Sequence, residues 1–203
     1  MSKVVNFHIK LGMVASFVNM EMGLNTNLTV AKICHEMANY LIILNFIRED
    51  IEDSGQPEVM EMLHNIELMT YTMDFFRNIY TDNINPDALM TDIEKICAIK
   101  GVNISIIDDI ILTENVKIIV CGILYIIMKV LEHGDTVNIT KNVDKITVVI
   151  PGTRNLPLSV SRALSKNVDD DIFNVFVNYI NALANLYEYK IELINQEVII
   201  WKK

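Results

Sequence analysis

The chain has 203 residues, enough for one large or two small domains, and 51% of them are hydrophobic. Because it contains only seven glycines and four prolines, its composition predicts a folded globular protein and excludes a disordered one. The formal net charge of −9, with no clustered run of Lys and Arg, argues against a nucleic-acid partner.

Membrane, secreted and metal-binding classes are also disfavoured. The N-terminus lacks the pattern of a signal peptide, and the most apolar stretch, residues 118–128, has about half of the ~20 residues that a membrane span needs. The cysteines show no C-x-x-C spacing and the histidines are scattered, which predicts reduced core thiols, a cytoplasmic location and no metal site. These residues are Cys34, Cys97 and Cys121, and His8, His35, His64 and His133.

Residues 1–24 are expected to form an N-terminal extension or a short helix, and the pattern of residues 25–82 predicts a helical hairpin. A first helix is expected to begin at Asn25 and to end at Gly55. A second helix begins at Pro57, and its apolar residues repeat at alternating spacings of three and four, which is the seam of a coiled coil. The seam residues are Val59, Met62, Ile66, Met69, Met73, Phe76 and Tyr80. The first helix has its own apolar seam, which comprises Cys34, Met37, Leu41, Leu44 and Ile51. Two helices cannot cover both seams, so we expect a homodimer whose two hairpins form a four-helix bundle.

His35 on the first helix is the strongest candidate for chemistry. Ala31 and Ala38 lie one turn away on either side, so a partner can approach the imidazole closely. A neutral imidazole nitrogen is a competent nucleophile toward phosphorus, and Glu36 can fix the tautomer of the ring. The alternative is an ordinary solvated surface histidine.

Residues 83–203 alternate between predicted helices and strands after a break at Asn83–Pro86. The predicted helices cover 86–98, 114–132 and a segment from 169–171 to about 187, with a short one over 156–164. The predicted strands cover 102–107, 136–141, 145–150, 190–194 and 197–201. This order predicts an α+β sandwich with helices on one face of a single sheet.

A histidine-bearing helical hairpin followed by a small α/β sandwich resembles the dimerisation and ATP-binding modules of histidine kinases. The segment Ala31–Glu36 is similar to the histidine segment of the ChpT-type histidine phosphotransferases, in which the ATP-binding domain is degenerate. The resemblance extends from about residue 26 to Trp201. It implies a helical hairpin that forms a dimeric four-helix bundle, followed by a histidine-kinase-like sandwich without an ATP lid.

The nucleotide-binding motifs of working kinases are missing from the sandwich. Ile126 stands where a kinase has a metal-binding asparagine, and Pro151-Gly152-Thr153-Arg154 retains one glycine and no acid. Residues 155–188 contain no glycine, so no flexible loop can bring backbone N–H groups to a triphosphate. The resemblance therefore implies phosphotransfer with no bound cofactor, with Mg²⁺ supplied by a partner receiver domain.

The resemblance implies a phosphorelay protein that moves a phosphoryl group between receiver aspartates through His35. Its partners are the receiver of a hybrid histidine kinase and response regulators, and its docking surface comprises Ala31, Lys32, Ala38, Asn39 and Ile42. Tyr40, Ile42 and Ile43 depart from the family pattern and change that surface. The alternatives are a pseudokinase scaffold that binds regulators without phosphotransfer and a residual ATP-dependent kinase. The sequence identifies neither donor, acceptor nor regulated process.

Overall fold

The computed structural model describes residues 57–81, 83–107, 112–142, 145–152 and 172–203. These residues form four helices and five strands. In chain order they are α1 (Pro57–Ile79), α2 (Pro86–Lys100), β1 (Asn103–Ile106), α3 (Glu114–Ile127), β2 (Thr136–Asn142), β3 (Lys145–Val149), α4 (Ile172–Leu186), β4 (Tyr189–Ile194) and β5 (Glu197–Lys202). The predicted first helix and the short helix over 156–164 lie outside the described residues.

The five strands form one mixed sheet in the order β1-β2-β3-β5-β4. Strand β1 is parallel to β2, and every other neighbouring pair is antiparallel. The last strand of the chain therefore lies between β3 and β4. The predicted α+β class is confirmed, and the predicted strand bounds are correct to within one residue at each end.

Two short connections explain why the hairpins form where the sequence predicts them. Asn142 pairs with Lys145 at the end of the β2–β3 hairpin, and Ile194 pairs with Glu197 in the β4–β5 hairpin. Asn195, the first residue of the β4–β5 turn, has φ of 57°. Asparagine tolerates this left-handed conformation better than most residues, so it suits a two-residue hairpin turn.

Helix α2 is delimited by its capping residues. The Asn85 side chain accepts hydrogen bonds from the backbone N–H groups of Asp87 and Ala88, and Pro86 occupies the first turn. Gly101 ends the helix with φ of 67°, and a Cβ at this position would lie 2.2 Å from Cδ2 of His133. Both the left-handed backbone and the close imidazole ring require glycine here.

Helix α3 ends at Ile127, five residues before the predicted end at Glu132. The Asp135 carboxylate accepts a hydrogen bond from the Glu132 backbone N–H at 2.7 Å, which forms a local turn. The Asp135 carbonyl then accepts from the N–H of Asn103 as the chain enters the sheet. Residues 128–130 form a turn in which the Val130 N–H bonds to the Ile127 carbonyl, and the Asp135 side chain competes with any helical bond of the Glu132 N–H.

One hydrophobic core joins the helices to one face of the sheet. Alternate strand residues enter that core with the buried faces of α2, α3 and α4, and ten of the fourteen residues of α3 are buried. The strand residues on this face include Val137, Ile139, Ile146, Val148, Val198 and Ile200. Gly122 allows α3 to approach α4 closely, because a Cβ there would lie 2.3 Å from Cδ1 of Ile180. No helix in the described part of the chain is long and apolar enough to cross a bilayer.

A buried carboxylate links the first two described helices. Asp92 on α2 is 7% exposed, and the Asn78 side-chain amide on α1 donates a hydrogen bond to Oδ2 of Asp92 at 2.7 Å. Burial raises the pKa of the Asp92 carboxyl above its ordinary value of 3.8, while the Asn78 hydrogen bond opposes that rise. The pair therefore connects α1 to α2 through a polar contact at the edge of an apolar interface.

We expect Asp92→Ala to lower the free energy of unfolding by about 1–3 kcal/mol at pH 7, because it leaves the Asn78 amide without its partner. Asp92→Asn retains an acceptor oxygen, so its effect should be less than about 1 kcal/mol. Urea denaturation of the two variants measures the difference. Equal losses would contradict a role for the hydrogen bond.

The same carboxyl predicts a pH dependence with a definite sign. The folded state binds the Asp92 proton more tightly than the unfolded state, so its contribution to stability grows as the pH falls through the raised pKa toward 3.8 and is absent at neutral pH. The wild type should therefore gain stability relative to Asp92→Asn as the pH is lowered from 7 to about 4. Denaturation curves that keep a constant difference over this range would show that the pKa of Asp92 is not raised.

Candidate functional site

The residues predicted to carry phosphotransfer all precede the first described residue. They are Ala31, Lys32, His35, Glu36, Ala38, Asn39 and Ile42, and they lie outside the described residues. The structure does describe α1, which is the second helix of the predicted hairpin. It also describes the sheet, α3 and α4, to which α1 is attached.

Six aromatic side chains attach the C-terminal part of α1 to the sandwich. Phe75 stacks on Tyr125 of α3 with ring centroids 4.9 Å apart, and Phe76 meets the edge of Phe176 of α4 at 5.5 Å. One turn further on, the rings of Tyr80 and Tyr179 lie 4.6 Å apart. We call Phe75, Phe76, Tyr80, Tyr125, Phe176 and Tyr179 the aromatic cluster.

A hydrogen bond and a cation–π contact add to the attachment of α1. The Tyr179 hydroxyl donates to the carbonyl oxygen of Ile79 at 2.8 Å, and both residues are buried. This bond satisfies a carbonyl at the end of α1 that has no partner within the helix. One turn before Phe75 on α1, the Tyr71 ring has Lys95 Nζ of α2 4.7 Å from its centre. The C-terminal part of α1 therefore contacts α2 as well as α3 and α4.

Exposed and buried residues alternate along the predicted seam of α1. Ile66, Met73 and Tyr80 are buried, whereas Met62 and Met69 are 42% and 44% exposed. The two exposed methionines are seven residues apart, so they lie on the same face of the helix, with buried Ile66 between them in the sequence. Met60 is 53% exposed as well, but nine residues separate it from Met69, which places the two on opposite sides of the helix. The prediction of a helix from Pro57 is confirmed, and the four-helix bundle remains a prediction.

Positions 126 and 152 are the ones that the resemblance to histidine kinases assigns to nucleotide binding, and neither carries a polar side chain. Ile126 is 1% exposed and belongs to the hydrophobic core, so position 126 presents no ligand atom for a metal or phosphate. Gly152 follows β3 with φ of 77°, and no atom lies within 4 Å of the place where its Cβ would be. Within the described residues, no three His, Cys, Asp or Glu side chains lie together as a metal site would require.

The described cysteines are unreactive core residues. Cys97 and Cys121 are free thiols and both are buried, as their spacing predicts. Burial raises the pKa of the Cys97 thiol to about 12 and raises that of Cys121 further. Cys97 Sγ lies 3.9 Å from Sδ of Met128, which is a packing contact between soft atoms. Neither thiol is suited to nucleophilic chemistry at neutral pH.

Sequence reasoning missed the contacts that hold α1 in place. Asp92 follows Leu89 by three residues and precedes Ile96 by four, so an acid within an apolar stripe was a visible signal of a buried polar pair. Its partner Asn78 could not be identified from the sequence. The aromatic cluster joins residues about 100 positions apart, and no local pattern shows such a contact.

Comparison with known proteins gives a fold relative. No protein-family model matches the chain, and no curated protein matches it. Among solved structures, 29 chains match. One is the 1.7 Å structure of a bacterial phosphotransferase, with a TM-score of 0.54 and 12% sequence identity, and the match covers 98% of this chain and 96% of that chain. At this identity the likeness shows a similar fold and nothing further.

Two tyrosines provide a matched test of the attachment of α1. Tyr179→Phe removes the donor to the Ile79 carbonyl and should lower the free energy of unfolding by about 1–2 kcal/mol. The Tyr187 hydroxyl is buried with no hydrogen-bond partner in the described part of the chain, and burial raises its pKa to about 12. Tyr187→Phe removes an unsatisfied polar group and should leave stability unchanged or raise it by up to about 1 kcal/mol. Thermal and urea denaturation compare the two variants, and a larger loss in Tyr187→Phe would contradict this assignment.

Proposed function

We propose that this protein is a histidine phosphotransferase of a bacterial two-component phosphorelay. The observation that carries the proposal is the match to a bacterial phosphotransferase structure over 98% of this chain and 96% of that one. The sequence adds His35, which has an adjacent acid and flanking alanines within a segment predicted to be helical. In this proposal, His35 receives a phosphoryl group from the aspartyl phosphate of one receiver domain and passes it to the aspartate of another.

The transfer consists of two in-line displacements on phosphorus. In the first, a neutral imidazole nitrogen of His35 attacks the phosphorus atom, the N–P bond forms and the O–P bond to the donor aspartate breaks, which releases its carboxylate. In the second, the carboxylate of the acceptor aspartate attacks the phosphohistidine, the N–P bond breaks and the imidazole is restored. No oxidant, reductant or nucleotide is consumed in either step.

The residues around His35 are proposed to serve its orientation and the docking of the receiver. Glu36 fixes the tautomer of the imidazole and stabilises the charge that develops on its second nitrogen. Lys32 faces the phosphoryl oxygens, where a cation offsets their charge. The small side chains Ala31 and Ala38 allow close approach, and Asn39 and Ile42 extend the docking surface.

We propose that the phosphoryl group comes from a partner and not from a nucleotide bound to the sandwich. Ile126 supports this, because a buried aliphatic side chain offers no ligand to a metal–phosphate group. The glycine-free sequence over 155–188 supports it independently, since it lacks the backbone flexibility of a phosphate-binding loop. In this proposal the partner receiver supplies both Mg²⁺ and the aspartate.

We also propose a cytoplasmic homodimer formed by the helical hairpins. Met62 and Met69 are exposed within the single chain although they occupy predicted seam positions, which supports a contact with a second copy. Methionine packs adaptably against an apolar partner surface, so it suits such a seam. Phe76 and Tyr80, the last two residues of the same seam, belong to the aromatic cluster, so the helix that carries the proposed dimer contact is also the helix that contacts the sandwich.

The central test of the function is transfer of label from a phosphorylated receiver. We expect receivers carrying ³²P-aspartyl phosphate to label the wild-type chain with an acid-labile, base-stable phosphate and not to label His35→Ala. His64 and His133 are both exposed, so His64→Ala and His133→Ala are matched controls that should keep full labelling. Gel autoradiography measures the label.

Two outcomes would contradict phosphotransfer through His35. Equal labelling of His35→Ala and the wild type would remove His35 from the mechanism. Tight binding of receivers without any label would favour the pseudokinase scaffold, in which the same docking surface carries no chemistry.

A second test separates the predicted dimer seam from the rest of α1. Met69→Glu introduces a charge on the seam and should raise the dimer dissociation constant by more than about tenfold, because the charge must be desolvated in the bundle. Met60→Glu adds the same charge to an exposed position on the opposite side of the helix and should leave the dimer intact. Light scattering over a concentration series measures both, and dissociation by Met60→Glu alone would reverse the assigned faces of α1.

A further inference from the structure

A cavity of about 160 Å³ lies at the N-terminal end of α3, beside the ends of β2 and β5. Leu112, Val116 and Ile146 form the aliphatic part of its wall, and Thr113 and Tyr189 also line it. Lys141 and Lys202 complete the lining, and neither forms an ion pair with any other described residue. The cavity therefore combines an aliphatic wall with two cations in a chain whose net charge is −9.

The sheet register explains how the two lysines come together. Lys141 on β2 pairs with Ile146 on β3, and Lys202 on β5 pairs with Tyr189 on β4. Lys141 is two residues after the buried Ile139, and Lys202 is two residues after the buried Ile200, so both lie on the helix-covered face of the sheet. The cavity lies at the end of the helix-covered face, beyond the last core residues of β2 and β5. At this end Lys141 and Lys202 occupy the positions at which an aliphatic residue would continue the core.

The cavity is distinct from the region that resembles a nucleotide site. Thr113, which lines the cavity, and Ile126 stand at opposite ends of α3, about 20 Å apart at 1.5 Å per residue. Ile146 likewise lies near the start of β3, whereas Gly152 follows its end. A ligand in this cavity would not occupy the place of a triphosphate.

We propose that the cavity binds a small aliphatic carboxylate. Its volume corresponds to about five water-sized groups, which suits a carboxylate of three or four carbons. The ammonium groups of Lys141 and Lys202 donate hydrogen bonds to the carboxylate, and the alkyl chain packs against Val116 and Ile146. The carboxylate also faces the positive end of α3, and Glu114 in the first turn is the opposing charge on that helix.

The two lysines and the aliphatic wall make different demands on the ligand. Inorganic phosphate satisfies the cations but leaves the aliphatic wall uncovered. A neutral amide of the same shape fills the apolar part but leaves both cations without a counter-charge. A short-chain carboxylate satisfies both, so binding should require the charge and the alkyl chain together.

The test is an NMR titration of the full-length protein with sodium butanoate at constant ionic strength, with sodium phosphate and butanamide as matched probes. Butanoate should give saturable shifts confined to residues lining the cavity, and phosphate and butanamide should bind at least about tenfold more weakly. Saturable binding of phosphate or butanamide with equal affinity would overturn the carboxylate assignment. Shifts that do not saturate would overturn the site.

Variants test the same site. Lys141→Met and Lys202→Met should each weaken butanoate binding by about tenfold, because each removes a charged hydrogen-bond donor. Lys145→Met is the matched control, since Lys145 precedes Ile146 on β3 and belongs to the opposite face of the sheet, where its Nζ lies 5.3 Å from the centre of the Trp201 ring. Equal effects of Lys141→Met and Lys145→Met would contradict the proposal. The lysine changes lie at strand ends outside the hydrophobic core, and the amide spectrum of each variant verifies its fold.

Discussion

The contact on which the described structure most depends is the aromatic cluster between α1, α3 and α4. Its members join three helices that are far apart in the sequence, and ring centroids at 4.6–5.5 Å are within the range of favourable aromatic pairs. The Tyr179–Ile79 hydrogen bond fixes the end of α1 at the same place. Since α1 is the second helix of the predicted hairpin, this cluster is the contact that joins the hairpin to the sandwich.

Helix α3 packs into the core over most of its surface, because ten of its fourteen residues are buried. Its buried residues face α2, α4 and the sheet at once, and Gly122 allows α4 to come close enough to complete the core. An aliphatic side chain at position 126 contributes to that core, where an amide would need a buried partner. At the N-terminal end of this helix lies the cavity that is lined by Lys141 of β2 and Lys202 of β5.

Much of this fold follows from local sequence signals. Asn85 with Pro86 predicts the start of α2, and Asn195 predicts the last hairpin turn, because each residue has a specific conformational role. The end of α3 was predicted too late, since Ile118–Met128 is apolar on every side and shows no period that could indicate an end. Beyond Ile127 the Val130 N–H bonds to the Ile127 carbonyl and the Glu132 N–H bonds to the Asp135 carboxylate, and no residue within the apolar stretch indicates these contacts.

The candidate site was less predictable than the fold. His35 could be identified as a candidate because an acid follows it and alanines flank it on the same helical face. It lies outside the described residues, so its role stays a prediction. By contrast, the pairing of Asn78 with Asp92 and the position of Lys141 and Lys202 beside one cavity depend on sheet order and helix packing, which one sequence does not encode locally. A polar residue in an apolar stripe indicates that a hydrogen-bond partner exists, but it does not identify which residue the partner is.

The most direct test of a phosphotransferase that depends on its partner for phosphate is titration of the full-length protein with Mg-ATP by calorimetry, followed by incubation with γ-labelled Mg-ATP. The buried Ile126 and the glycine-free sequence over 155–188 lead us to expect no heat of binding and no phosphohistidine from nucleotide alone. A micromolar dissociation constant together with label on His35 would contradict this and identify the protein as an ATP-dependent kinase.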